Sequence, residues 1–177
     1  MKRVALLVLG VVAFSATAMA QADPVMALPQ ALRADAGVIK WKPDFTYDTV
    51  KESKNNLVCY DRSGFPGQAK FSLECTSMGN LPREAQNLKA EAEGAGDRAK
   101  SEAILNEQEK NGTRIKPEYG SVWYHLMGAD EEHARMHMTI AMPGATTQST
   151  GLPDKRSNGV WIMNAGTSTA HLMTPGE

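Results

Sequence analysis

Hydrophobic and polar side chains alternate along the two segments that carry the cysteines. In residues 69–75 every second side chain is apolar, which is typical of a half-buried β-strand. Residues 57–63 form a second strand-like segment, and glycine and proline separate the two. The pattern predicts a β-hairpin that turns about Gly67 and places Cys59 opposite Cys75.

The middle of the chain is predicted to be helical but interrupted. Residues 83–93 form one helical segment, Gly94-Ala95-Gly96 breaks it, and Asp97 can cap a second helix that runs to Lys110. Asn111-Gly112 is a strong helix stop. Because the apolar residues form only a narrow stripe, we expect both segments to lie on the surface of the protein.

The last third of the chain is rich in predicted strands. Residues 121–127 and 133–142 form one hairpin about a short acidic loop, and residues 159–164 and 169–173 form another. The loop between these hairpins, 143–158, is long enough to suggest a functional role. The fold class we predict is therefore α+β, an antiparallel sheet built from β-hairpins with an inserted broken helix.

The first twenty residues have the order of a secretory signal peptide. Lys2 and Arg3 precede an apolar segment at 4–14, and the small-x-small sequence at 18–20 follows it. We expect cleavage before Gln21 and export to the periplasm or the medium, with an uncleaved anchor as the alternative. No later segment reaches about 18 unbroken apolar residues, so we expect no stable membrane insertion after the leader is removed.

The length and net charge of the chain limit its domain organisation and the partners it can bind. Its 177 residues allow a leader at 1–20, an exposed N-terminal arm at 21–45 and a single α+β domain at 46–177. The net charge is −1, and loss of Lys2 and Arg3 would take it to −3. A chain without a basic field is not expected to bind nucleic acid.

The chain contains two cysteines, Cys59 and Cys75. In an oxidising compartment such a pair is expected to form a structural disulfide. The pair lacks the Cys-x-x-Cys spacing of redox proteins, and two cysteines so far apart do not make a zinc or haem motif.

The hairpin of residues 121–142 carries most of the candidate chemistry. A tight connection predicts three cross-strand pairs: Met127 with His133, His125 with Arg135, and Trp123 with His137. All six side chains would then lie on one face of the sheet, because the opposite face carries the apolar residues expected in the core.

Three histidines on one face can bind a transition metal. His125, His133 and His137 are therefore candidate ligands for copper or zinc, and Met127 on the same face suits Cu(I). The alternative is a sheet face that only contacts water, and a register shift of one residue would scatter the cluster.

The same face is also a candidate binding site for an anion. Trp123, His125, Arg135 and His137 could hold an unidentified small ligand, with the loop 143–158 as a lid. A salt bridge from Arg135 to Glu131 or Glu132 is the simpler alternative. An envelope protein is the other partner that an exported binding module would meet.

Enzyme signatures are absent from the sequence. It contains no nucleophile elbow, no His-Glu-x-x-His and no phosphate-binding loop in the required context. Catalytic residues therefore stay unidentified, although a small hydrolase-like enzyme using histidine and carboxylate is an alternative. We predict a small exported protein that binds its ligand rather than converting it.

Overall fold

A computed structural model of the chain describes residues 22–156 and 158–175. The predicted leader and its cleavage site lie outside these residues. The strands are β1 (Gly37–Trp41), β2 (Tyr47–Lys51), β3 (Leu57–Asp61), β4 (Phe71–Ser77), β5 (Val122–Gly128), β6 (Arg135–Ala141), β7 (Trp161–Met163) and β8 (His171–Met173). The α-helices are α1 (Gln30–Arg33), α2 (Leu81–Glu93), α3 (Arg98–Lys110) and α4 (Thr147–Thr150).

The described strands form one mixed sheet in the order β2-β1-β3-β4-β5-β6-β8-β7, which confirms the α+β class. We predicted an antiparallel sheet, and that part of the prediction is wrong, because β1 lies parallel to β3. The reason is that β2 returns along the outer edge of β1, so the chain must cross β1 before it enters β3. Strand β3 consequently lies between β1 and β4, and the central strands β4 and β5 also have neighbours on both sides.

The prediction that residues 21–45 form an exposed arm is wrong for most of that segment. A short 3₁₀ helix (Pro24–Ala27) packs on the sheet, Ala27 and Leu28 are fully buried, and residues 37–41 form β1. The arm covers the apolar face of the central hairpin, where Leu73 would otherwise face water. The prediction failed because the apolar residues of the arm contact distant strands and therefore show no local period.

The predicted disulfide is confirmed. Cys59 and Cys75 are directly opposite each other on β3 and β4 and are bonded to each other. Both are fully buried in the core that includes Val25 and Leu28 from the arm.

Helices α2 and α3 lie on the other face of the sheet. Pro82 in the first turn and Glu84 near the positive end favour the start of α2, and the Asp97 side chain caps α3. Leu81 and Leu88 anchor α2 in a core formed with β1 and β3. This packing fixes α2 above the centre of the sheet.

We predict that replacing both cysteines by alanine lowers the free energy of unfolding by about 3 kcal/mol, because the bridge restricts a loop of this size in the unfolded chain. Urea unfolding followed by circular dichroism measures the difference. Reduction of the wild-type protein should reproduce the loss, and equal stability of the oxidised and reduced proteins would contradict the prediction.

Candidate functional site

Four polar side chains cross the centre of the sheet on the face that carries α2. The strand registers place Tyr60 opposite Glu74, Glu74 opposite His125, and His125 opposite His137. Residues directly opposite each other on neighbouring antiparallel strands are close enough for their side chains to interact. We call these four side chains the polar row.

Glu74, on the buried strand β4, is the centre of the polar row. The Tyr60 hydroxyl donates to its Oε1 at 2.7 Å, Arg62 Nη1 donates to its Oε2 at 3.0 Å, and His125 Nδ1 lies 3.3 Å from Oε2. Burial alone would raise the pKa of Glu74, but Arg62 and His125 outweigh burial and lower it. The resulting carboxylate is an acceptor for His125 Nδ1–H, which in a neutral ring leaves Nε2 unprotonated.

Arg62, just after β3, connects the polar row to α2. Its guanidinium lies 3.1 Å from Glu84 Oε1 and also contacts Glu91, so one cation faces three carboxyl groups. Burial and the neighbouring Glu74 raise the pKa of Glu84 to about 7. Glu74 therefore holds the buried negative charge, while Glu84 changes its protonation state within the neutral range.

The two imidazoles of the polar row are stacked. The rings of His125 and His137 have centroids 4.7 Å apart and planes inclined by 18°. Burial and the adjacent His125 lower the pKa of His137 to about 4. His137 is therefore neutral at physiological pH, and the stack carries at most the charge of His125.

A cleft of about 720 Å³ opens between the sheet and the two long helices. Strands β5, β6 and β8 form its floor, α2 and α3 form one wall, and the turn between β7 and β8 forms the other. A hydrogen bond from Ser168 to Glu109 ties that turn to α3. The volume is within the range of roughly 300–1,000 Å³ found for small-molecule sites.

Two guanidinium groups lie together at the helical wall, one from α2 and one from the segment that follows α3. Arg83 and Arg114 are each only 7% exposed, and both line the cleft. Arg83 donates to the Ile115 carbonyl, while Arg114 donates to Gln86 Oε1 at 3.1 Å and to Asn87. Neither has a carboxylate oxygen within 4 Å in the part of the chain that the structure describes.

The electrostatic environment of Arg83 and Arg114 differs from that of Arg62. Burial and the proximity of Arg83 lower the pKa of Arg114 to about 10, and burial lowers the pKa of Arg83. Both groups stay charged at neutral pH. Unlike Arg62, they direct their hydrogen bonds to amide and carbonyl oxygens, and the carboxyl groups of Glu84 and Glu109 act on them only from beyond 4 Å.

The structure brings only some of the sequence-predicted residues together. Trp123, His125 and His137 line the cleft. Arg135 is exposed at the start of β6 and does not line it, and no salt bridge joins it to a described carboxylate. His133 lies in the loop before β6 with its side chain 72% exposed.

The predicted strand register was wrong by two residues. Met127 lies opposite Arg135, His125 opposite His137, and Trp123 opposite Thr139. A shift of two leaves the side chains within β5 and β6 on their predicted faces, because the side-chain period of a strand is two.

The acidic loop of this hairpin explains the shift. Gly128 closes β5 so near to the backbone of Ala134 that a Cβ atom would lie 2.7 Å from its Cα. The Asp130 carboxylate accepts from the backbone N–H of His133 at 3.0 Å and contacts its Nδ1 at 2.6 Å. His133 is thereby held in the turn instead of in the strand.

The structure bears on two further hypotheses, a metal site on the histidine face and a lid formed by the loop 143–158. In residues 22–156 and 158–175, no group of three or more His, Cys, Asp or Glu side chains is placed to hold a metal ion. Copper or zinc binding therefore stays a prediction. The loop 143–158 contributes no described residue to the cleft lining, and the β7–β8 turn takes the position that we expected for it.

Sequence analysis missed the partners that complete the site: Arg62, Glu74, Arg83, Glu84, Arg114 and His171. Glu74 occupies a position that we interpreted as the polar face of a half-buried strand, whereas both faces of β4 are buried. The signal that could have revealed it is a lone glutamate in a strand of apolar and small polar residues.

The chain matches no model of a known protein family, and neither a curated protein nor a solved structure is detectably similar to it. None of the described helices is both long enough and apolar enough to span a bilayer.

We predict that Glu84→Gln makes the stability of the protein less dependent on pH. The folded-state pKa of Glu84 is raised, so its neutral form stabilises the protein fully below about pH 4.5, and this contribution is lost as the pH rises towards 7. Glutamine stays neutral, so the variant should gain roughly 2–3 kcal/mol of stability relative to the wild type between pH 5 and pH 8. Urea unfolding at pH 5 and pH 8 measures the effect.

The matched control for this experiment is Glu102→Gln, which removes an exposed helical carboxylate paired with Arg98. Its stability difference from the wild type should be small at both pH values. A Glu84→Gln variant whose relative stability is the same at pH 5 and pH 8 would contradict a raised pKa.

We also predict that the His137 ring stays neutral well below the usual range of histidine. Its NMR signals, assigned by comparison with His137→Gln, should change with a midpoint near pH 4, because burial and His125 disfavour the imidazolium. A midpoint near 6.5, as in a histidine of an unstructured peptide, would show that the stacked pair is not desolvated.

Proposed function

We propose that the protein is an exported binding module that holds a small anionic molecule in the cleft between the sheet and helices α2 and α3. The observation that carries the proposal is the pair of buried arginines, Arg83 and Arg114, which line the cleft without a carboxylate partner within 4 Å among the described residues. The Nε of Arg114 is buried and has no hydrogen-bond acceptor there either.

Burying two like charges side by side costs free energy that amide and carbonyl acceptors offset only in part. An oxyanion placed between the guanidiniums would relieve their mutual repulsion and accept charge-assisted hydrogen bonds. A site that is costly when empty and favourable when occupied is typical of a functional pocket rather than of a structural core.

The imidazoles support an anionic ligand in the same cleft. His125 is held by Glu74, and His171 lines the cleft with a pKa lowered first by burial. The neutral imidazoles of His137 and His171 add hydrogen-bonding nitrogens to a lining that also contains Glu74, Glu84, Glu102 and Glu109. The charge of Glu74 itself is already compensated by Arg62.

Export is the second part of the proposal. The leader-like sequence of residues 1–20 supports it, and the disulfide between Cys59 and Cys75 is compatible with an oxidising compartment. A ligand met there would be a small molecule of the periplasm or the medium.

Isothermal titration calorimetry with 4-phenylbutyrate and its neutral analogue 4-phenylbutyramide tests the anion requirement. We expect the carboxylate to bind at least about tenfold more tightly than the amide, since charge-assisted hydrogen bonds contribute roughly 1.5–3 kcal/mol. Phenyl phosphate, titrated in parallel, separates a carboxylate site from a phosphate site. Equal affinity for the acid and the amide would overturn the proposal.

We predict that Arg114→Gln weakens 4-phenylbutyrate binding about tenfold or more and that Arg114→Lys retains part of the affinity. Arg98→Gln is the matched control, because Arg98 also lines the cleft but is 84% exposed and paired with Glu102. Circular dichroism would check that each variant is folded. A folded Arg114→Gln protein with wild-type affinity would contradict the assigned role.

A further inference from the structure

A second row of side chains, next to the polar row, gives the cleft floor an apolar part. The registers place Trp123 opposite Thr139, Thr139 opposite Met173, and Met173 opposite Trp161. These four residues lie on the same face of the sheet as the polar row and one step further along the strands. We call them the apolar row.

Trp123 is accessible to a ligand because its neighbours in the sheet are small. It lies between Thr76 on β4 and Thr139 on β6, and the Thr76 hydroxyl is engaged by the Val122 carbonyl at 2.8 Å. No large side chain therefore occupies the positions directly beside the indole. The indole is only half-buried and lines the cleft.

Three larger apolar side chains of the cleft are also not used by the cores. Met173 and Met163 project from β8 and β7, and Leu105 projects from α3. Among the described residues, none of these three, nor Trp123, belongs to the hydrophobic cores of the protein. Flexible thioethers and an indole make an adaptable apolar surface.

We infer that the ligand is amphipathic: an apolar body rests on Trp123 and Met173, and its anionic group reaches the guanidiniums of Arg83 and Arg114. This inference rests on the proposed function and adds the ligand class and the residue that selects it. Trp123 is thus assigned as the specificity-determining residue for the body of the ligand.

Comparing the affinities of the protein for 4-phenylbutyrate and for succinate tests whether the ligand needs an apolar body. Succinate carries two carboxylates but no apolar body, so we expect it to bind at least about tenfold more weakly in spite of its extra charge. If neither compound binds, the proposed function fails. If succinate binds as tightly as 4-phenylbutyrate, the anion site stands and the amphipathic class is wrong.

Trp123→Ala should weaken 4-phenylbutyrate binding by about fivefold or more, which corresponds to the contribution of an aromatic contact, and should leave succinate binding unchanged. The matched control is Trp161→Ala, because Trp161 belongs to the same row but does not line the cleft. It should alter neither affinity.

A fluorescence readout separates binding from folding. Addition of 4-phenylbutyrate should change the tryptophan emission of the wild type and of Trp161→Phe, whereas Trp123→Phe should bind with little change in emission. Trp123→Phe keeps an aromatic ring and so covers the case in which Trp123→Ala fails to fold. If the emission of Trp123→Phe changed on binding as much as that of the wild type, the assignment would be overturned.

Discussion

A carboxylate buried at the centre of the sheet, Glu74, is the constraint on which the arrangement of the site depends. An ionised group in such a position is tolerated only when donors surround it, and removal of one donor leaves a buried charge uncompensated. Tyr60 and Arg62 supply donors from β3 and the residue that follows it, and His125 supplies one from β5. Their positions, and with them the register of β3, β4 and β5, are therefore linked to one side chain.

Arg62 extends this constraint to the helical layer. Its contacts with Glu84 and Glu91 hold one face of α2 against the sheet, while Leu81 and Leu88 pack beside them. The remaining face of α2 is left to carry Arg83 above the floor of the cleft. The ion-pair network thus serves less as a source of stability than as a means of setting where the wall of the cleft stands.

Local patterns predicted the features that depend on neighbouring segments. The opposition of Cys59 and Cys75 and the face on which His125 and His137 lie follow from alternation and a short connection. The site itself depends on pairings between distant segments, such as β4 with β5 and β6 with β8. No period in the chain reports these pairings, so Glu74 and His171 could not be placed beside the predicted histidines.

The charged groups around Arg62 and those around Arg83 and Arg114 are balanced in different ways. Around Arg62, three carboxyl groups meet one guanidinium, whereas Arg83 and Arg114 donate to neutral oxygens and have Glu84 and Glu109 only beyond 4 Å. Between them lie imidazoles and, one step along the strands, the indole of Trp123. An anion in the cleft is therefore attracted towards the arginine pair and repelled from the carboxyl groups, and this asymmetry would fix the direction in which an amphipathic ligand lies.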